Sequence, residues 1–114
     1  IAPATANTLS KCANGQADNI VVATYLSARC PVFFAPAMDL DMYKHPTTAR
    51  NIKQLVEFGN HLIEPTEGEL ASGLCGAGRM EEPENIIAVI QKHFELEWEF
   101  AGQKIMITAG PTHE

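Results

Sequence analysis

The chain of 114 residues reads as an α/β domain, a parallel sheet covered by helices. Short apolar runs alternate with longer stretches of helical apolar spacing, the pattern of βαβ units. Two of the apolar runs also end alike. Ile1-Ala2-Pro3-Ala4 and Phe33-Phe34-Ala35-Pro36-Ala37 both leave through Ala-Pro-Ala into small or polar residues. The two turns lie about 30 residues apart, one βαβ unit. In open α/β sheets ligands bind outside the carboxyl ends of the strands, so two such ends point to one shared site.

The elements follow in order. Thr8 is placed to cap a helix from Leu9 towards Gly15, and Asp18 to cap a second over Asn19 to Ser27. Val32 to Ala37 reads as the first full strand. His45-Pro46 opens a helix, with proline suited to its first turn. Ile52, Leu55, Val56 and Phe58 carry that helix to a stop at Gly59. His61 to Pro65 reads as a short strand. Gly68 to Gly78 holds four glycines in eleven residues and reads as a flexible loop. A helix from Pro83 or Glu84 to His93 shows Ile86, Ile87, Val89, Ile90 and Phe94 on its apolar positions. Leu96 to Gly102 reads as a link before a strand at Lys104 to Thr108. The chain opens at Ile1 without methionine and closes just after that strand, which predicts a piece of a longer protein whose first strands lie upstream.

Composition narrows the class. Hydrophobic residues make up 46% and charged residues 19%, as in a soluble globular protein. The net charge is −6 and only eight Lys and Arg are present, scattered along the chain. That excludes a phosphate-backbone surface, so no nucleic-acid partner is expected. No apolar run approaches the roughly 20 residues that span a bilayer, so no membrane partner is expected. Cys12, Cys30 and Cys75 form no CxxC pair, which favours a reducing, cytoplasmic setting.

Three segments carry candidate chemistry. Pro3 to Leu9 combines small residues with a helix start, suited to close approach of a ligand or to an ordinary N-cap. In Pro36-Ala37-Met38-Asp39-Leu40-Asp41-Met42-Tyr43, the two aspartates are compatible with a metal pair or with capping of the helix that follows. Met38 and Met42 have the spacing of core residues. Leu70 to Met80 places Cys75 among glycines, as an inert thiol or as an acid on a closing loop. His45, His61, His93 and His113 show no metal spacing and are expected at the surface or in caps.

Together the three segments resemble the flavin-dependent cysteine decarboxylase family. Pro3 to Thr8 is similar to its Pro-Ala/Ser-x-Ala-Asn-Thr flavin motif. Pro36 to Tyr43 is similar to its Pro-x-Met-Asn-x-x-Met-Trp substrate clamp, and Gly68 to Met80 to its Cys-bearing flap. Ile105 to Glu114 resembles the opening of a fused ligase domain, as in members that join phosphopantothenoylcysteine decarboxylase to phosphopantothenate–cysteine ligase. The resemblance implies a flavodoxin-like three-layer αβα fold with its N-terminal strands upstream. It divides the chain into the C-terminal part of a decarboxylase domain (1–95), a linker (96–102) and the start of the ligase domain (103–114).

It also implies a reaction. FMN takes a hydride equivalent from the cysteine Cβ–S unit of 4'-phosphopantothenoylcysteine, CO2 leaves, and the electrons return with a proton to give 4'-phosphopantetheine. Thr5, Ala6, Asn7, Thr8 and Ala37 are then expected at FMN, Asp39, Met42, Leu70 and Ala71 at the substrate, and no metal in this part. CTP and Mg belong only to the ligase part. A homo-oligomer, trimer or dodecamer, is implied. A peptidyl-cysteine decarboxylase and a non-catalytic regulatory flavoprotein are the alternatives.

Two positions depart from the family pattern. Asp39 stands where the clamp has Asn. An amide donates to a substrate carboxylate, whereas an ionised Asp only accepts. Asp39 is therefore expected to be protonated in the complex or bridged by a cation such as Lys44 or Arg79. Ser72 stands where the flap has Cys, with Cys75 three residues later. A thiol is a far stronger acid than a serine hydroxyl, so Cys75 is expected as the proton donor. The family's catalytic histidine falls upstream of Ile1.

Overall fold

The computed structural model describes residues 1–97. Helix α1 spans Ala6–Asn14 and α2 Ile20–Ser27. Strand β1 is Phe33–Phe34, followed by α3 (Leu40–Lys44), α4 (Pro46–Glu57) and β2 (His61–Leu62). Strands β3 (Thr66–Glu69) and β4 (Cys75–Arg79) precede α5 (Pro83–Glu97).

Strands β1 and β2 pair in parallel, Phe33 with His61 and Phe34 with Leu62. The segment before α1 joins β1 on its other edge. Ala35 N–H donates to the Ile1 carbonyl at 2.9 Å, Ala4 N–H to that of Ala35 at 2.8 Å, and Ala37 N–H to that of Ala4 at 3.1 Å. Ala4 and Pro36 thereby form a parallel bridge. The expected strand Val32 to Ala37 is thus regular only over two residues, because Pro36 has no N–H to continue the ladder.

Side chains alternate across this sheet. Ala4 and Phe34 pack with Leu9, Cys12, Val22 and Leu55 on one face. Ala35 packs with Ile63 and Ile86 on the other, and Phe33 joins them. Helices α1 and α4 therefore cover one side and α5 the opposite one. Phe34 and Leu9, each 1% exposed, contribute about 1.5–3 kcal/mol apiece by burial. Tyr25 meets Phe34 edge-on at 5.3 Å.

Several expectations are corrected. Helix α1 begins at Ala6, three residues before the expected start, with Thr5 as its cap. The Thr8 N–H donates to Thr5 Oγ1 at 3.2 Å, so Thr8 lies inside the first turn. Asn19 caps α2 through its side chain, while Asp18 turns back to Lys11 at 2.8 Å. His45 caps α4 as expected, its ring Nδ1 accepting from Thr47 N–H at 3.1 Å. His61 and His93 lie instead in a ring cluster with Phe33, His61 stacking on it at 4.6 Å. His113 lies outside the described residues.

The largest correction concerns Gly68 to Gly78. It is no loop but most of an antiparallel hairpin, so the described strands are not all parallel. Glycines here serve close approach. A Cβ on Gly76 would lie 2.7 Å from Leu40 Cδ1, and one on Gly78 would run into the Met38 carbonyl oxygen. Gly78 also takes a φ of 140°, which side chains disfavour. Helix α5 runs past His93 to Glu97, so the link expected from Leu96 starts inside a helix. The remainder of that link and the strand at Lys104 to Thr108 lie outside the described residues.

Candidate functional site

The two Ala-Pro-Ala turns sit side by side, tied by the Ala4 and Ala37 hydrogen bonds. Thr5 follows directly and caps α1, its hydroxyl donating to Thr8 Oγ1 at 3.2 Å. Ala6 and Asn7 occupy the first turn, where backbone N–H groups have no intrahelical acceptor. Asn7 is exposed. Ala6 and Ala37 are partly exposed and carry nothing larger than a methyl group, whereas Ala4 is fully buried beneath them. Thr5, Ala6, Asn7, Thr8 and Ala37 are thus brought together by one ladder and one cap.

The second half of the site is the clamp segment against the hairpin. Met38 N–H donates to the Gly78 carbonyl at 2.9 Å. Asp39 holds the N-cap position of α3 yet makes no cap hydrogen bond. Its Oδ1 instead accepts from Ser72 Oγ at 2.5 Å. Ser72 in turn accepts from Leu74 N–H at 3.3 Å, within a turn closed by Leu70 N–H on the Leu74 carbonyl at 2.8 Å. Gly73 supplies the left-handed residue of that turn, φ 88°. Leu70 is buried, whereas Ala71 is exposed. Met42 is half exposed on α3, and Met38 packs against the core. Cys75 is exposed at the start of β4, paired with Glu69 across the hairpin.

Arg79 pairs with Glu82 at 3.4 Å, and the partner at Asp39 is a hydroxyl. Asp41 is exposed in the first turn of α3. Among the described residues no group of three or more His, Cys, Asp or Glu could hold a metal ion. Tyr43, at the end of the clamp segment, has its phenol pushed up by burial and then by the Glu64 carboxylate. Burial pushes the Cys12 thiol up to about 11.

The Ser72–Asp39 contact escaped sequence reasoning, which weighed Ser72 only as a poor acid. The available signal was that both departures from the family pattern are polar and of matching hydrogen-bonding kind. A cavity of about 370 Å³ lies elsewhere, walled by apolar residues of α2, the sheet and α5, among them Tyr25, Phe33 and Ile90. It includes none of the candidate residues.

A parallel sheet with two small-residue strand ends, a capped helix start and a hairpin docked on the second strand end defines an α/β domain. The chain belongs to the flavoprotein family, whose profile matches residues 1–95. It is 56% identical over its whole length to a cysteine/cysteine sulfinic acid decarboxylase from an unknown prokaryotic organism, covering 33% of that protein. It is 51% identical over its whole length to the coenzyme A biosynthesis bifunctional protein CoaBC of Bacillus subtilis (strain 168), covering 29% of it. The chain therefore spans a third or less of these curated relatives.

Among solved structures, a PPC decarboxylase mutant complexed with pantothenoylaminoethenethiol superposes with a TM-score of 0.81 at 40% identity. The match covers 83% of this chain and 53% of that one. The FMN binding protein AtHal3 gives 0.74 at 38% identity, over 90% of this chain and 55% of that one. The fold is flavodoxin-like αβα. No helix among the described residues is long and apolar enough to cross a membrane.

Proposed function

We propose that the chain is part of an FMN-dependent carboxy-lyase of coenzyme A synthesis, acting on 4'-phosphopantothenoylcysteine and fused to phosphopantothenate–cysteine ligase. The observation that carries this reading is the junction of the two strand-end turns with the hairpin, where Ala37 N–H meets the Ala4 carbonyl and Met38 N–H meets that of Gly78. The first turn suits FMN: methyl-sized residues let a ring approach, and the start of α1 offers donors. Bound there, the flavin supplies a two-electron acceptor that later returns the pair.

The chain's own residues do the rest. Thr5, Ala6, Asn7, Thr8 and Ala37 hold the cofactor. Asp39, Met42, Leu70 and Ala71 face the substrate, with the hairpin excluding water. Cys75 delivers the proton that completes the product. The reaction conserves electrons overall: a carboxylate leaves as CO2 and a proton takes its place.

The test is CO2 release from 4'-phosphopantothenoylcysteine by the full-length flavin-loaded protein, beside Cys75→Ala and Ser72→Ala. With Cys75→Ala, CO2 release is expected to persist while the enethiol accumulates instead of the reduced product. Full formation of 4'-phosphopantetheine by that variant would move the proton-donor role to Ser72. Absence of CO2 release from wild type, with flavin bound, would favour a regulatory flavoprotein. The ligase part, with CTP and Mg, belongs to the remainder of the protein. A homo-oligomeric, cytoplasmic enzyme, trimer or dodecamer, completes the proposal and is checked by light scattering.

A second reading is decarboxylation of cysteine or its sulfinic acid with an unacylated nitrogen. It is favoured by the relative that is 56% identical and bears that activity in its name.

A further inference from the structure

We propose that Ser72 is a positioning residue whose hydrogen bond to Asp39 holds the hairpin tip closed on the clamp segment, and that this closure retains the enethiol until electrons and a proton return to it. The inference rests on the proposed decarboxylase reading and adds the contact that keeps its intermediate in place.

The hairpin is fastened at two levels. Its base is pinned by backbone and packing. Met38 N–H donates to the carbonyl of buried Gly78 at 2.9 Å, Leu40 lies against Gly76, and Leu70 is buried. Its tip has no such support, since Ala71, Ser72, Gly73, Leu74 and Cys75 are all exposed. Among the described residues, Ser72 Oγ to Asp39 Oδ1 at 2.5 Å is the one side-chain hydrogen bond from the hairpin to the clamp segment. The tip is nevertheless ordered within itself. Leu70 N–H donates to the Leu74 carbonyl at 2.8 Å, Gly73 N–H to that of Leu70 at 2.9 Å, and Leu74 N–H to Ser72 Oγ at 3.3 Å. One oxygen, Ser72 Oγ, therefore both closes the turn and ties it to the residue before α3. Cys75 comes directly after this turn, so the tie also fixes where the thiol begins β4. A single exposed hydrogen bond biases the tip towards closure by only about two- to tenfold. That leaves the tip free to open for substrate and product.

Closure matters because the electrons are divided midway through the reaction. Oxidation moves two electrons from the substrate to the flavin, and loss of CO2 leaves an enethiol two electrons short of the thiol product. An enethiol that escapes at this point leaves one flavin reduced. An enethiol that is retained takes back the electron pair and a proton, and the flavin is oxidised again. A loosened tip thus converts a closed electron cycle into a leak.

The test uses the full-length flavin-loaded protein with Ser72→Ala, Ser72→Thr, Asp39→Ala and the double alanine variant. Without substrate, amide hydrogen exchange is read at Leu70 and Gly73, whose acceptors are backbone carbonyls that the substitutions leave in place. Each single alanine variant is expected to exchange about two- to tenfold faster there, and the double variant no faster than either. Ser72→Thr keeps the hydroxyl and is expected to exchange as wild type does. With 4'-phosphopantothenoylcysteine and no dioxygen, wild type is expected to keep its flavin oxidised over many turnovers. Ser72→Ala is expected to bleach it, one enethiol being released per flavin reduced. Unaltered exchange in Ser72→Ala would overturn the inference, and bleaching without faster exchange would make Ser72 the proton donor instead. Faster exchange without bleaching would also overturn it, because the tie would then retain nothing. Absence of CO2 release from wild type would overturn the decarboxylase reading and the retention role with it, whereas CO2 release with no bleaching in Ser72→Ala would overturn the inference alone.

Discussion

The strand-end turns and the hairpin tip both carry candidate residues, but they hold them by different means. Around Ala4 and Ala37 the backbone itself makes the bonds, with Ala4, Ala35 and Pro36 buried beneath. At the hairpin tip, Ala71, Ser72, Gly73 and Leu74 are exposed, and the side-chain tie to the clamp is the single Ser72–Asp39 hydrogen bond. Backbone ladders over a core are costly to open, whereas one exposed hydrogen bond nets only about 0.5–1.5 kcal/mol. The difference teaches a division of labour. A cofactor that stays bound suits the first region, and a substrate that must enter and leave suits the second.

The largest expected effect removes the common foundation. Phe34→Ala empties a site that is 1% exposed and packed on Tyr25. A loss of about 3–5 kcal/mol is expected in denaturant unfolding, with flavin lost as well. Retained flavin would mean that the turns do not depend on this core. Gly78→Ala separates the regions. The new methyl must push β4 off the Met38 carbonyl, so decarboxylation is expected to fall about a hundredfold. Flavin affinity should be nearly unaltered; joint loss of both would show the regions to be one unit.

Thr5→Ala removes the cap of α1 and acts on the first region alone. About 1 kcal/mol of stability should be lost, with weaker flavin binding. The cysteines give a smaller contrast, read by alkylation. Cys75 is exposed and should label in the native protein at pH 8, whereas buried Cys12 should label only on unfolding. Burial raises the Cys12 thiol from 9.0 to about 11. A raised folded pKa means that its stabilisation is fully present below pH 9.0 and is lost as pH rises through about 11. Cys12→Ser should flatten that alkaline decline in unfolding midpoint. The smallest effect is expected at Asp18, whose carboxyl Lys11 holds below its ordinary value. Its contribution is present above pH 3.8 and lost as pH falls through the lower folded value. Asp18→Asn should shift acid unfolding slightly and only at low salt.

Much of this was legible in the residues. Alternation marked the α/β class, and Ala-Pro-Ala marked the strand ends, because proline and small side chains restrict the backbone locally. The hairpin was not legible. Glycine density signals conformational freedom, and only the packing of Leu40 and the Met38 carbonyl against Gly76 and Gly78 turns that freedom into close approach. The cap of α1 lies at Thr5 and not at Thr8 for a related reason: both residues suit a cap, and the ladder from Ala4 to Ala35 and Ala37 decides which lies at the helix start.

By itself, then, the sequence determined the class of fold, the two strand-end turns and the identity of the departures Asp39 and Ser72. Tertiary structure decided that these two touch. They are 33 residues apart and lie in different elements, so no local propensity could join them. Their contact exists because β4 docks on Met38, and that docking brings the hairpin tip onto the clamp.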